Sequence, residues 1–108
     1  DFWFSPLATW DWYQRAARTN GAAFTDASRF YMVPGMLHCA GGNSFDQFDL
    51  LAKMVDWVEK GQAPHEVIAS RADRSATRPL CPYPSHAHYK GGDVTKAESF
   101  ECRAPEQG

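Results

Sequence analysis

Apolar side chains recur at helical spacing in the segment from Pro6 to about Thr19. Ser5 followed by proline is typical of a helix start, because serine can cap the first turn and proline fits its first position. Asn20 and Gly21 are suited to end the same helix. The pattern therefore predicts a first helix whose apolar face consists of Leu7, Trp10, Tyr13 and Ala17.

The clearest helical pattern begins at Ser44, which has the sequence of a capping box together with Gln47. An apolar stripe follows at helical spacing, and Lys60 with Gly61 closes it. We expect this stripe to belong to the core and not to a cofactor site. Its members are Phe45, Phe48, Leu51, Met54, Val55 and Val58.

Residues 29–33 are rich in aromatic and β-branched side chains and predict a strand that is buried on both faces. A shorter extended piece is predicted at residues 67–69, whereas residues 70–108 contain four of the seven prolines and predict a mostly irregular tail. Because one strand cannot satisfy its own backbone hydrogen-bonding groups, these elements are expected to be an incomplete part of a larger α/β domain.

Composition and charge narrow the class of protein. Of the 108 residues, 44% are hydrophobic and 14% are aromatic, which suits a dense core or a pocket for a flat ligand. The net charge is −2 and there is no basic run, so a nucleic-acid or membrane partner is not expected. No stretch approaches the roughly 18 apolar residues that a membrane span requires.

The three cysteines predict one internal disulfide and one unpaired thiol. A bond between Cys81 and Cys102 would tie the proline-rich tail, and closing a loop of about 20 residues is worth roughly 3 kcal/mol. Cys39 then has no partner in this chain, which in an oxidising compartment indicates a bond to a segment outside it. The alternative is a cytosolic protein with three reduced cysteines.

The main candidate for chemistry is His38, which follows the predicted strand and a Pro34-Gly35 turn and directly precedes Cys39. An α/β hydrolase carries its catalytic base on the loop that leaves the last strand of its sheet. An imidazole with an ordinary pKa of ~6.5 suits proton transfer near neutral pH. Without this context, a structural or surface histidine would be the better interpretation.

Asp1 is the candidate acid, because the triad of α/β hydrolases runs Ser, Asp, His along the chain and Asp1 precedes His38 by a helix and a strand. No serine lies in a G-x-S-x-G element, so the nucleophile is expected outside this chain. A zinc site built on His86 and His88 is the rival, but the close ligand pairs typical of structural zinc are absent. Solvated histidines are the expected interpretation, and no metal is predicted here.

Several separated segments together resemble the C-terminal region of the tannase/feruloyl esterase family. They are residues 29–39, the helix and its continuation at 45–64, the sequence Thr-Arg-Pro-Leu-Cys-Pro-Tyr-Pro at 77–84, and the shorter matches at 89–92 and 100–102. The resemblance implies the C-terminal portion of an α/β-hydrolase fold over residues 1–108, with residues 70–108 as a disulfide-tied tail. The nucleophile half and the lid domain would lie outside the chain.

The resemblance also implies residue roles. His38 would be the general base, Asp1 the acid that orients it, and Phe4 an aromatic wall of the substrate pocket. Cys39 would bond a cysteine next to the missing serine, and Cys81 with Cys102 matches a family disulfide. The family commonly has Asp-Pro where this chain has Asp1-Phe2, which is a departure at the acid. Calcium, where the family binds it, belongs to the absent lid.

These implications predict a secreted or periplasmic serine esterase that cleaves esters of aromatic carboxylic acids, such as galloyl, feruloyl or terephthaloyl esters. Its partners would be the aromatic ester and, through Cys39, the upstream half of the same enzyme. The isolated chain is expected to be inactive because it lacks a nucleophile. The alternative is a non-enzymatic, disulfide-stabilised interaction module.

Overall fold

The computed structural model describes residues 3–106 of the chain. The described residues form three α-helices, two antiparallel strand pairs and one short 3-10 helix. In chain order the elements are α1 Pro6–Asn20, α2 Ala22–Asp26, α3 Leu50–Lys60, β1 Val67–Ser70, β2 Thr77–Leu80, β3 His86–Tyr89, the 3-10 helix Ala97–Ser99 and β4 Phe100–Arg103. None of the helices within residues 3–106 is long and apolar enough to cross a membrane.

Helix α1 forms where the sequence predicts it. The Ser5 hydroxyl accepts a hydrogen bond from the Ala8 backbone N–H at 3.4 Å, and Gly21 ends the helix with a φ of +67°. The Trp10 ring then packs against Phe30 and Tyr83, with ring centroids 5.5 and 4.7 Å apart. Aromatic contacts therefore attach this helix to the rest of the chain.

Helix α3 begins later than predicted. Its cap is Asp49, whose carboxylate accepts a hydrogen bond from Ala52 N–H at 2.9 Å. The Ser44 hydroxyl instead donates to Gly41 O at 2.9 Å, and the backbone of Gln47 pairs with Ser70. The predicted capping box is wrong because the Ser44 hydroxyl bonds back to Gly41 and the Gln47 backbone pairs with the distant Ser70. The end of the helix at Gly61 is as predicted.

The expected core role of the stripe on α3 is only partly realised. Phe45 and Phe48, which precede the helix, pack against the core. Within α3 no residue is buried, and Leu51 and Val58 remain 75% and 77% exposed. Met54 and Val55 of the stripe are about half exposed, and Trp57 beside them lies under the Arg29 guanidinium, 5.0 Å from its central carbon. The stripe is therefore partly covered, and its outer members stay open within residues 3–106.

The predicted strand at residues 29–33 is not a regular strand in the structure. The Tyr31 backbone forms one isolated antiparallel bridge with Pro82, and Tyr83 N–H donates to Phe30 O at 2.7 Å. Its side chains are partly buried, not buried on both faces. The physical reason is that residues 3–106 supply no neighbouring strand to extend the ladder.

The tail is more regular than predicted. The β1 strand lies where an extended piece was expected and pairs with β2, Val67 facing Leu80. Strands β3 and β4 form a second antiparallel pair, with His86 facing Arg103. Cys81 directly follows β2 and is bonded to Cys102 of β4, with their Cα atoms 5.6 Å apart. The predicted disulfide therefore joins the two strand pairs.

The core is small and is built on the first strand pair. Val67, Ala69 and Leu80 are its buried residues. Four partly buried side chains from earlier in the chain pack against it: Tyr31, Val33, Phe45 and Phe48. Because so few side chains are buried, the covalent tie between the strand pairs is expected to contribute a large share of the stability.

We expect replacement of both Cys81 and Cys102 by alanine to lower the free energy of unfolding by about 3 kcal/mol, because the bond closes a loop across 21 positions of sequence. Urea unfolding, followed by tryptophan fluorescence, measures this loss. The matched control is Cys39→Ala, which removes an exposed free thiol and should change stability by less than about 0.5 kcal/mol. Equal stability of the two variants would contradict the prediction.

Candidate active site

His38 lies on a compact loop that we call the base loop, residues 34–43. Two close backbone approaches shape it: Met36 bridges to Gly42, and Leu37 N–H donates to Gly41 O at 3.1 Å. Gly35 and Gly42 adopt positive φ angles of +72° and +83°. A Cβ atom at Gly35 would come within 2.5 Å of Asn43 O, so the close approach requires glycine there.

The tip of the base loop presents His38 and Cys39, both of which are exposed. The Ala40 N–H donates to the His38 carbonyl oxygen at 2.9 Å, which closes a three-residue turn centred on Cys39. Cys39 has a φ of +66°, a conformation uncommon for a residue with a side chain. A tightly turned backbone therefore sets the direction in which both side chains leave the loop.

The Asp46 side chain holds the base loop in place through hydrogen bonds. Its carboxylate accepts a hydrogen bond from Gly41 N–H at 2.7 Å and another from the Gln47 side-chain amide at 3.1 Å. These two hydrogen bonds, the first being the larger cause, hold the pKa of Asp46 below its ordinary value. The sequence did not single out Asp46, although a carboxylate a few residues after a glycine pair is the signal that could have identified it.

Phe4 is the predicted site residue that the structure brings to His38. The two ring centroids lie 5.8 Å apart with a tilt of 47° between the planes. Phe4 is 69% exposed, so its ring is open to a molecule that approaches the imidazole. The candidate acid Asp1 lies outside the described residues.

An open depression of about 490 Å³ adjoins the base loop. Its walls are mostly apolar and include Phe30, Met32, Met36 and Leu37, with Cys39 at one edge. Pro6 and Thr9 of α1 complete it, and the sequence pattern gave no reason to place these two residues beside the base loop. The depression therefore places a mostly apolar surface next to the loop that carries His38.

The residues of the rival zinc site are placed differently. His86 and His88 lie on β3 with ring centroids 6.4 Å apart. Within residues 3–106, no group of three or more His, Cys, Asp or Glu side chains is arranged to hold a metal ion.

Ser44 is the serine nearest to a nucleophile motif in sequence. Its hydroxyl donates a hydrogen bond to Gly41 O, so in this structure it serves the base loop.

Comparison with known protein families identifies relatives over nearly the whole chain. Residues 1–103 match the family described as "Tannase and feruloyl esterase". The mono(2-hydroxyethyl) terephthalate hydrolase of Piscinibacter sakaiensis is 45% identical over 111 aligned positions, covering 94% of this chain and 18% of that protein. A probable feruloyl esterase of Arthroderma benhamiae is 40% identical, covering 77% of this chain and 17% of that protein.

Solved structures agree with these sequence relatives. The crystal structure of feruloyl esterase B from Aspergillus oryzae superimposes with a TM-score of 0.78 and 27% identity, covering 92% of this chain and 24% of that one. An esterase structure from the same organism gives a TM-score of 0.78 at 28% identity. The expected α/β-hydrolase type of fold is thereby confirmed. The chain spans less than a fifth of the length of the two sequence relatives.

The Asp46 anchor predicts a pH-dependent base loop. Because the folded pKa of Asp46 is depressed, the charged anchor stabilises the loop at pH values above the ordinary carboxyl pKa of about 3.9 and is lost as the pH falls through the depressed value. We expect the Gly41 amide proton resonance to titrate with a midpoint below that ordinary value. The measurement is a ¹H–¹⁵N NMR pH series. In Asp46→Asn this titration should disappear, whereas a midpoint at or above the ordinary value in the unmodified chain would contradict the anchor.

Proposed function

This chain belongs to the tannase and feruloyl esterase family, and on that premise we propose that it forms the C-terminal part of a serine esterase acting on esters of aromatic carboxylic acids. The observation that carries the proposal is the presentation of His38 on the anchored base loop with the Phe4 ring 5.8 Å away. The relatives are named for terephthalate and feruloyl substrates, both of which have aromatic acyl groups. Residues 1–108 would supply the base and the acid, with residues 70–108 as the disulfide-tied end.

In this proposal His38 transfers protons in both halves of the reaction. A serine outside this chain attacks the ester carbonyl while the His38 imidazole accepts its hydroxyl proton. The imidazolium then donates that proton to the leaving alcohol, and the same histidine activates water to release the acid. Asp1 would accept the Nδ1–H of His38, fix its tautomer and stabilise the charged ring.

Phe4 is the proposed contact for the aromatic acyl group. Its ring is exposed, lies at 47° to the plane of the His38 ring and is located on the short segment before α1. An aromatic ring beside the reacting carbonyl can pack against a benzene ring in an edge or offset arrangement. The open depression beside the base loop provides further apolar surface for the same substrate.

Cys39 is proposed to bond a cysteine outside this chain. It is exposed and unpaired among residues 3–106, and it directly follows the base. Such a bond would attach the base loop covalently to the segment that carries the nucleophile. Together with the Cys81–Cys102 disulfide, it supports a secreted or periplasmic location, because disulfides persist in oxidising compartments.

The isolated chain is proposed to be inactive, because no serine in it occupies a nucleophile motif. A non-enzymatic interaction module is the alternative class, and exposed apolar residues such as Trp3 and Trp12 are compatible with either. Family membership favours the esterase, since the family is described by that activity. The two classes differ in what they require of His38.

We expect His38→Ala in the complete enzyme to lower kcat for an aromatic ester by at least about 10³-fold, because both proton transfers lose their carrier. Hydrolysis of a feruloyl or terephthaloyl monoester, followed by chromatography, measures the rate. The matched control is His65→Ala, which removes another exposed imidazole and should leave kcat unchanged. Retention of most of the activity in His38→Ala would overturn the role proposed for His38. A complete unmodified enzyme that does not hydrolyse these esters would overturn the esterase proposal, and turnover by the isolated chain would contradict its proposed inactivity.

The Cys39 proposal predicts a mass change on reduction. Protein from its natural source should contain Cys39 in a bond that resists alkylation until a reductant is added. Intact mass and peptide mapping, with and without reductant, locate the partner cysteine. A Cys39 thiol that is fully alkylated before reduction would contradict the proposed bond, while Cys81 and Cys102 serve as the internal reference for an oxidised pair.

A further inference from the structure

Arg78 occupies an unusual position for a charged residue, on the core-facing side of the first strand pair. It lies directly opposite Ala69, which is completely buried. Opposed residues of an antiparallel pair share a face, and alternate residues along a strand do as well. Arg78 therefore shares its face with the core residues Val67 and Leu80.

The Arg78 guanidinium is held between two aromatic rings. Its central carbon lies 4.9 Å from the Phe45 ring centroid and 4.4 Å from that of Phe100. The N–H groups of a guanidinium all lie in its plane and point outward from its edge. Rings that cover its faces therefore leave these N–H groups available for hydrogen bonds. Yet the Nε atom is buried without a hydrogen-bond partner among the described residues. An unsatisfied buried donor is costly, so a native structure normally supplies an acceptor.

Arg78 lines a cavity of about 430 Å³, which we call the Arg78 cavity. Its walls are mainly apolar and include Met32, Phe45 and Tyr83. A second guanidinium, that of Arg71, also lines it and donates to Asn43 Oδ1 at 2.8 Å. A hollow of this size is large enough for a single aromatic ring with a polar substituent.

The positive charge of the Arg78 cavity is not balanced by the described residues that line it. No aspartate or glutamate is among the residues that line it. Asp73 lies close enough to Arg71 for their charges to interact, but it is exposed and accepts a hydrogen bond from Ser75 N–H at 2.9 Å. The cavity therefore combines an apolar interior with two cationic side chains that lack an anionic partner inside it.

We propose that the Arg78 cavity is a binding site for a carboxylate attached to an apolar or aromatic body, supplied from outside residues 3–106. A planar carboxylate matches the edge of a guanidinium fork, and the apolar walls accept the body that carries it. The carboxylate can come from a free aromatic acid or from an acidic side chain in the rest of the esterase. The second source rests on the proposed function, whereas the first does not.

The test is a titration of the purified chain with sodium benzoate, followed by the Arg Nε–H resonances in ¹H–¹⁵N NMR spectra. We expect a saturable shift of the Arg78 Nε–H signal. Benzamide, the neutral analogue, and sodium chloride at equal ionic strength should not reproduce it. A signal that does not respond to benzoate, or responds equally to benzamide, would overturn the proposal using the unmodified protein alone.

Variants then test the role of the guanidinium. Arg78→Met keeps an apolar side chain of similar length and should weaken benzoate binding at least about tenfold, as expected for the loss of a charge-assisted hydrogen bond. Arg78→Lys keeps the charge but loses the planar guanidinium, so its affinity for benzoate should lie between those of the unmodified chain and Arg78→Met. The matched control Arg15→Met changes an exposed arginine of α1 and should bind normally. Unchanged affinity in a folded Arg78→Met would also overturn the proposal.

Repeating the titration on the complete esterase distinguishes the two sources. If benzoate binds there as it binds to the isolated chain, the natural occupant is a free aromatic carboxylate. If benzoate binds to the isolated chain but not to the complete enzyme, while Arg78→Met destabilises that enzyme, the occupant is an acidic side chain of the same protein. Either result supports a carboxylate site, and neither depends on the outcome for His38→Ala.

Discussion

The backbone contact between the Phe30–Tyr31 and Pro82–Tyr83 segments is the interaction on which the rest of the structure depends. Tyr83 N–H donates to Phe30 O at 2.7 Å, next to the Tyr31–Pro82 bridge. Phe30 and Tyr83 also receive the Trp10 ring of α1. Cys81, one residue before Pro82, carries the disulfide. The contact thus connects the disulfide-tied strands with α1 and with the segment that precedes the base loop.

A chain joined in this way has little buried apolar surface of its own. The core consists of three buried side chains and four partly buried ones, whereas α3 has no buried residue among its eleven. Hydrophobic stabilisation scales with the apolar area removed from water, so the exposed faces of α1 and α3 contribute little as they stand. This chain corresponds to about a quarter of the solved esterase that it resembles, so most of a fold of that size lies outside it.

Local signals predicted the elements that depend on local interactions. The cap at Ser5, the end at Gly61, the extended piece at Val67 and the Cys81–Cys102 bond all follow from nearby residues or from loop length. The start of α3 is set by a local cap at Asp49, but the stronger local pattern at Ser44 predicted an earlier start, which the pairing of Gln47 with the distant Ser70 prevents. The strand at 29–33 could not be predicted locally, because a regular ladder needs partner strands that residues 3–106 do not supply. The pairing of Phe4 with His38 is of the same kind: the sequence supplied both residues, but only the fold gives the distance between them.

The base loop differs from these elements because its geometry is complete within the described chain. Its two glycines permit the close backbone approaches, the turn at Cys39 sets the direction of the tip, and the Asp46 carboxylate accepts the Gly41 N–H. None of these interactions requires a group from the rest of an esterase. A histidine positioned by its own loop loses little freedom when a nucleophile is brought to it, and preorganisation of this kind is what efficient proton transfer needs. On the proposed function, the missing part of the enzyme would therefore have to supply the serine and the rest of the substrate pocket, but not the conformation of the base loop.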